Sequence, residues 1–224
     1  MIHLKGINKI HGEGGPAPFQ SLYDIGFDVV SGELVILKGV SGSGKSTLLS
    51  IIGALQKPTS GEIEVDGSRI AKLPDLHASA FRARTIGFIF QTFNLFDEFN
   101  VMENVALPLI PTGLSQKEID KNVARALDVA NISHKATQSV RDLSGGEKQR
   151  TAIARALVNE AKIILCDEPT ANLDRENSLA FMGILKDLKS LGKTILIATH
   201  DPLFEDLEFV DRVLEIEAGR IAGP

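Results

Sequence analysis

Apolar residues in this chain fall into short runs broken by glycine, proline and acidic turns, and the runs change character twice. Residues 2–8 and 22–30 carry short apolar or alternating runs, with Gly12-Glu13-Gly14-Gly15-Pro16 between them. That pattern predicts two strands joined by a loop. Leu34-Val35-Ile36-Leu37 is apolar throughout and stops at Gly39, as a buried strand does. After Lys45 the apolar positions Leu48, Leu49, Ile51, Ile52 and Leu55 suit a helix that stops near Lys57-Pro58. Pro58-Thr59-Ser60-Gly61 then reads as a turn, 63–67 as a strand and 86–90 as a further core strand. Between about 92 and 160 the spacing becomes helical, as in Ile119, Val123, Leu127 and Ala130. Strand-like runs return at 163–166 and 194–198, with a helix at about 176–191 between them, and Val213-Leu214-Glu215-Ile216 ends the sheet. No internal repeat, heptad array or low-complexity tail interrupts this order. The expected fold is α/β with a mostly helical subdomain at about 92–160.

Composition narrows the possibilities. With 43 % hydrophobic residues over 224 positions, the chain can bury a sizeable core. Its net charge is −5 and no Lys/Arg block stands out, so no nucleic-acid partner is expected. A single cysteine, Cys166, rules out an intrachain disulfide and fits a reducing compartment. The start, Met1-Ile2-His3-Leu4-Lys5-Gly6, lacks the apolar run of a signal peptide. No stretch approaches the roughly 18–20 apolar residues of a membrane-spanning helix, so work at a membrane would need a span from another chain.

The most specific chemistry lies at 39–47. Gly39-Val40-Ser41-Gly42-Ser43-Gly44-Lys45-Ser46-Thr47 meets the pattern Gly-x4-Gly-Lys-Ser/Thr, with an apolar strand before it and a helix after it. Glycines let backbone close around an oxyanion, and the N–H groups at a helix start direct partial positive charge at it. Lys45 adds a full charge toward β/γ oxygens, and the Ser46 hydroxyl is placed to ligate Mg²⁺. The ligand expected of this loop is a nucleoside triphosphate with Mg²⁺, most simply MgATP.

Asp167 and Glu168 follow the strand at 163–166. Alone, such a pair is usually a solvated strand end. Beside a phosphate loop it matches a Walker B arrangement, in which the Asp holds Mg²⁺ and the Glu polarises a water. Leu143-Ser144-Gly145-Gly146-Glu147-Lys148-Gln149-Arg150 is a second anion-site candidate, because bare N–H groups open a helix there. Its simpler explanation is an ordinary helix cap.

In their order along the chain these motifs resemble the ATP-binding cassette (ABC) ATPases, over essentially the full length. The resemblance implies a single unit over 1–224. It has a P-loop core plus antiparallel β-subdomain at about 1–91 and 161–224, and a helical signature subdomain at 92–160. It assigns Gln91 to sensing Mg²⁺ and the attacking water, 143–147 to the signature, and 169–174 to the D-loop. His200 takes the place of the switch histidine at the γ-phosphate. It also implies a head-to-tail dimer in which Ser144, Gly145, Gly146 and Glu147 of one chain meet ATP on the other.

Several positions depart from the family pattern. His11 stands where an aromatic residue usually stacks on adenine, with Phe19 and Tyr23 as alternatives that could equally be core. Glu147, Ala171 and Val140 replace Gln, Gly and Pro that are common in relatives.

Residues 91–109 are similar to the branch serving lipoprotein release, macrolide export and cell division. That branch implies a cytoplasmic ATPase subunit at the inner face of the cell membrane, bound to an integral membrane permease, with no regulatory extension after Gly219-Arg220. Mechanotransmission without transport, or a soluble cassette, is the alternative. Phe93, Leu95, Phe96, Phe99 and Met102 could line a partner's groove or pack the helical core.

Overall fold

The protein is described by a computed structural model covering residues 1–204 and 207–222. The ends of the expected 1–224 unit at 223–224, and residues 205–206, lie outside the described residues. Strands β1 (Ile2–His11), β2 (Phe19–Val29), β4 (Ser60–Val65) and β5 (Ser68–Arg69) form an antiparallel sheet in the order β2-β1-β4-β5. Strands β3 (Leu34–Lys38), β6 (Ile86–Ile89), β7 (Ile163–Asp167), β8 (Thr194–Thr199), β9 (Arg212–Glu217) and β10 (Arg220–Ile221) form the second sheet. Its order is β10-β9-β3-β8-β7-β6, parallel from β9 to β6, with β10 antiparallel at one edge.

The continuous apolar runs of β3, β7 and β8 are explained by two cores, one on each face of this sheet. Leu34, Ile36, Ile164, Cys166, Ile195 and Ile197 point into one core, shared with the helical region. Val35, Leu37, Ile163, Leu165, Leu196 and Ala198 point into the other, shared with the antiparallel sheet. Successive side chains of a strand face opposite sides, so a strand with apolar cover on both faces cannot alternate in polarity. Each fully buried Leu or Ile contributes about 1.5–3 kcal/mol of transfer free energy.

Helix α1 (Lys45–Ile52) packs Leu48, Leu49, Ile51 and Ile52 into the second core. It ends at Gly53, short of the expected stop at Lys57-Pro58, because Gly53 caps it and Ala54 enters a left-handed turn at φ 51°. Helix α2 (Asp75–Thr85) is mostly polar and was not expected from the pattern. It buries only Ala78, Phe81 and Thr85.

The middle segment is helical as expected. It holds α3 (Val101–Ala106), α4 (Gln116–Val129) and α5 (Gly145–Leu157), joined by short 3-10 turns. Helix α6 (Arg175–Ser190) follows β7 and buries Phe181, Met182, Leu185 and Leu188. No described helix is long and apolar enough to cross a membrane.

Candidate active site

Three neighbouring strands deliver their ends to one place. Lys38 of β3 is paired with Thr199 of β8, and Ala198 of β8 with Asp167 of β7. The loop from Gly39, the pair Asp167-Glu168 and His200 therefore all leave the carboxyl edge of adjacent parallel strands, where open α/β sheets bind their ligands.

The loop 39–47 turns directly into α1. Ser43 N–H bonds the Val40 carbonyl (3.2 Å), and Gly219 N–H bonds the Ser43 carbonyl (2.9 Å). Gly44 caps α1 at φ 105°, and a Cβ there would lie 2.7 Å from the Ser21 carbonyl, so only glycine fits. The first turn of α1 has neither a side-chain cap nor an acidic residue, which leaves its opening N–H groups for an anion. Ser41 and Gly42 are exposed, Thr47 is half-buried, and the Ser43 hydroxyl is buried without a partner.

Lys45 is buried. Its Nζ donates to the carbonyls of Gly39 (2.6 Å) and Val40 (3.1 Å) and lies 3.5 Å from Glu168 Oε1. The Ser46 hydroxyl donates to Asp167 Oδ1 at 2.8 Å. Burial raises the pKa of Asp167 above the usual carboxylate value. Glu168 pushes it the same way, while Ser46 and Lys45 oppose the shift. Cys166, one residue earlier, is fully buried, and its thiol is held protonated by burial and by Asp167, so it packs rather than reacts.

Glu168 sits at φ 43°, a left-handed conformation uncommon for a residue with a side chain, and its N–H bonds the Ala198 carbonyl at 2.8 Å. Its Oε1 is 2.9 Å from His200 Nδ1, and its Oε2 accepts from the His200 N–H at 3.4 Å. The His200 side chain is 64 % exposed, so its ring reaches the mouth of the site. Asp201 anchors the residue after it, accepting from Thr170 Oγ1 at 2.7 Å. Thr170 and Asp201 are supports that motif reading did not single out.

The exposed Gln91 follows β6 closely, and its carbonyl accepts from Asn172 Nδ2 at 2.8 Å. The segment 169–174 is thereby tied to the entrance of the helical region. Ser144 caps α5. Its hydroxyl accepts from the Glu147 N–H (3.3 Å), and Glu147 Oε2 accepts from the Ser144 N–H (2.8 Å). Glu at position 147 thus closes a capping box. Ser144 and Gly145 are exposed, and Gly146 is buried. Among the described residues no hydrogen bond or ion pair joins 144–147 to 39–47, so the two anion-site candidates are not joined within one chain.

His11 ends β1. Its Nε2 is 2.8 Å from Ser21 Oγ, and the Ser21 carbonyl lies beneath Gly44, so the imidazole stands beside the phosphate loop. The Phe19 ring is nearly parallel to it, with centroids 6.2 Å apart. Tyr23 lies under the Arg220 guanidinium instead.

The aromatic residues of the middle segment divide. Leu95 and Met102 pack on the core, while Phe96 and Phe99 are exposed with ring centroids 5.8 Å apart. Phe93 is half-buried, and its carbonyl accepts from Arg155. The nearby concavity, about 290 Å³, is lined by Leu55, Phe88, Phe90, Pro108 and Pro111, with Arg82 and Arg155 at its border.

The family model described as ABC transporter matches residues 22–171. The chain belongs to the ABC transporter ATP-binding family. ATP binding and hydrolysis are the activity of that family. The ABC cassette is 42 % identical over 221 residues to the uncharacterized ABC transporter ATP-binding protein YknY of Bacillus subtilis, covering 99 % of this chain and 95 % of that one. It is 39 % identical to the lipoprotein-releasing system ATP-binding protein LolD of Bacteroides fragilis, covering 99 % and 100 %. Among solved structures, the cassette MJ0796, in a dimeric post-hydrolysis state bound to ADP and Pi, superposes with a TM-score of 0.90 at 38 % identity. That match covers 100 % of this ABC cassette and 97 % of MJ0796.

Proposed function

We propose that this chain is the Mg²⁺-dependent ATPase subunit of a membrane transport complex, and that the site described above hydrolyses ATP once two chains pair head to tail. The observation that carries this reading is Glu168, whose carboxylate is flanked by Lys45 and His200 at the mouth of the phosphate loop.

The residues fit the parts of such a reaction. The N–H groups of Gly42–Thr47 cradle the phosphates, and Lys45 exchanges its loop carbonyls for β/γ oxygens. Ser46 and Asp167, a hydroxyl and a carboxylate already 2.8 Å apart, are hard oxygen donors suited to Mg²⁺. A bound Mg²⁺ would be held by Ser46 and Asp167 together with oxygens of the nucleotide. When bound, Mg²⁺ supplies charge neutralisation at the phosphates. Glu168 draws the proton of a water whose oxygen attacks the γ-phosphorus, as the bond to the ADP oxygen breaks. His200 holds Glu168 in place and faces the γ-phosphate. Gln91 sits at the link to the helical region, where it senses metal and water. His11 stacks on adenine, with Phe19 beside it.

Ser144–Glu147 form the other half of the site on a second chain. The dimeric state of MJ0796 supports this pairing. The apolar concavity beside Phe88 and Phe90 takes a short helix of a membrane permease, and the chain then works at the cytoplasmic face of the membrane.

The test is size analysis and turnover of Glu168→Gln with MgATP. The variant should bind ATP, stop hydrolysing and accumulate as a dimer; full turnover would overturn the assignment of Glu168, and an ATP-loaded monomer would overturn the paired site.

A further inference from the structure

The buried amide of Gln149 has no part in the chemistry proposed above. It lies on α5, five residues past Ser144, and is 2 % exposed among Ile153, Leu173 and Phe181. Its Nε2 donates to the Pro169 carbonyl at 2.9 Å, while its Oε1 has no partner. A buried amide left half-satisfied costs more than a Met or Leu of similar volume would in the same place. Packing therefore does not account for the glutamine, whereas the bond to Pro169 does.

Pro169 directly follows Glu168, whose own backbone is confined to the left-handed region by its bond to Ala198. The Pro169 carbonyl lies in the next peptide, but the proline ring fixes φ between the two, so a displacement of that carbonyl is passed back to the Glu168–Pro169 peptide. The same turn of α5 is fitted a second time. Gly146 faces the Asn177 amide so closely that a Cβ would land on it, and Asn177 Nδ2 is fixed by both oxygens of Asp174, at 3.0 and 3.1 Å. The opening of α5 is thus joined to both ends of the segment 168–177, and Asn172 ties the middle of that segment to Gln91.

We propose that Gln149 is a positioning residue that links the Ser144–Gly146 surface, offered to one nucleotide, to Glu168, which serves the other. The inference rests on the head-to-tail reading given above. Through Gln149, docking of the signature turn on the partner's ATP sets the aim of Glu168 in its own chain. Each site is then switched on by engagement of the other.

The experiment uses the full chain and compares Gln149→Met and Gln149→Glu with the parent. Gln149→Met keeps the shape and deletes the donor. It should leave ATP affinity of the monomer within about twofold and lower kcat about tenfold or more, so the loss falls on kcat and not on KM. Gln149→Glu presents a carboxylate to the carbonyl when ionised and an O–H donor when protonated. Its activity relative to the parent should rise as pH is lowered from 8 to 5.5, while that of Gln149→Met stays flat. Arg150 on α5 is the charged residue lining the same small cavity as this amide. Arg150 favours the ionised form of the introduced Glu and burial favours the protonated form, whereas their effects on the rest of the reaction are shared with the parent.

A kcat for Gln149→Met within twofold of the parent overturns the proposal. If Gln149→Met does not fold, a flat ratio for folded Gln149→Glu overturns it instead. Failure of the underlying reading shows separately, as Glu168→Gln remaining monomeric with ATP while Gln149 is intact.

Discussion

Glu168 and His200 share a hydrogen bond of 2.9 Å across the ends of two adjacent strands. If they act as a unit, their losses will not add. His200→Ala should lower kcat about 100-fold, and adding it to Glu168→Gln should cost only a few-fold more, by single-turnover measurement. Fully additive losses would separate the two roles.

Asp167 is held protonated more readily in the folded chain than in the unfolded one, mainly by burial. The folded state therefore binds this proton more tightly, and its contribution to stability declines as pH rises from the ordinary value of 3.8 upward. Asp167→Asn removes that buried charge and leaves an acceptor for Ser46. Without nucleotide, its melting temperature relative to the parent should rise between pH 4 and pH 7. With MgATP the order should reverse, because the variant loses an oxygen anion from the metal site. A pH-independent difference would refute the account.

Gly145 is exposed, and a Cβ there meets only the Asn172 carbonyl, at an ordinary 3.6 Å. An acid at the start of α5 suits the helix dipole but repels a triphosphate. Gly145→Asp should stay folded, bind ATP as a monomer and lose ATP-driven pairing. Mixing it with Lys45→Ala chains completes one composite site, so ATP-driven pairing should return, while hydrolysis stays low because the Glu168 of that site belongs to the chain whose signature turn is blocked. No recovery of pairing on mixing would argue against sites shared between chains.

His11 offers adenine less stacking area than a tyrosine. His11→Tyr should tighten ATP binding about fivefold, roughly 1 kcal/mol, with Phe19 left in place. Titration with a fluorescent ATP analogue would measure this; unchanged affinity would move the adenine elsewhere.

Leu55 is 44 % exposed at the rim of the apolar concavity. Leu55→Glu should leave hydrolysis by the isolated chain within about twofold, yet reduce co-purification with a membrane subunit at least tenfold. Retained co-purification would place the partner on another face, Phe96 and Phe99 being the next test.

The strands of the large sheet were legible because β3, β7 and β8 are apolar without interruption, and the phosphate loop because its spacing has few other uses. Helix α2 was not legible. Its buried face amounts to Ala78, Phe81 and Thr85, correctly spaced for a helix but with a single large apolar residue, too little to stand out in the sequence. The end of α1 was misplaced because Pro58 is a louder signal than Gly53. At the site, the residues that face ligand were read by motif, but the hydrogen bonds that hold them were not. Thr170 and Asp201 meet across 31 positions of chain, and Asn172 reaches Gln91 across 81. Gln149 reads as an ordinary polar residue in a polar helix until its burial is known.

The two-faced packing of β7 bears on which changes of length the chain can survive. Ile163 and Leu165 face one core, Ile164 and Cys166 the other, and Asp167 and Glu168 come next. Inserting or deleting one residue in β7 would exchange the faces of the strand and turn Asp167 away from Ser46. The exposed loop at 12–16 bears on neither core. Length variation among relatives, and tags or inserted reporters, should therefore be tolerated at 12–16 and rejected in 163–168.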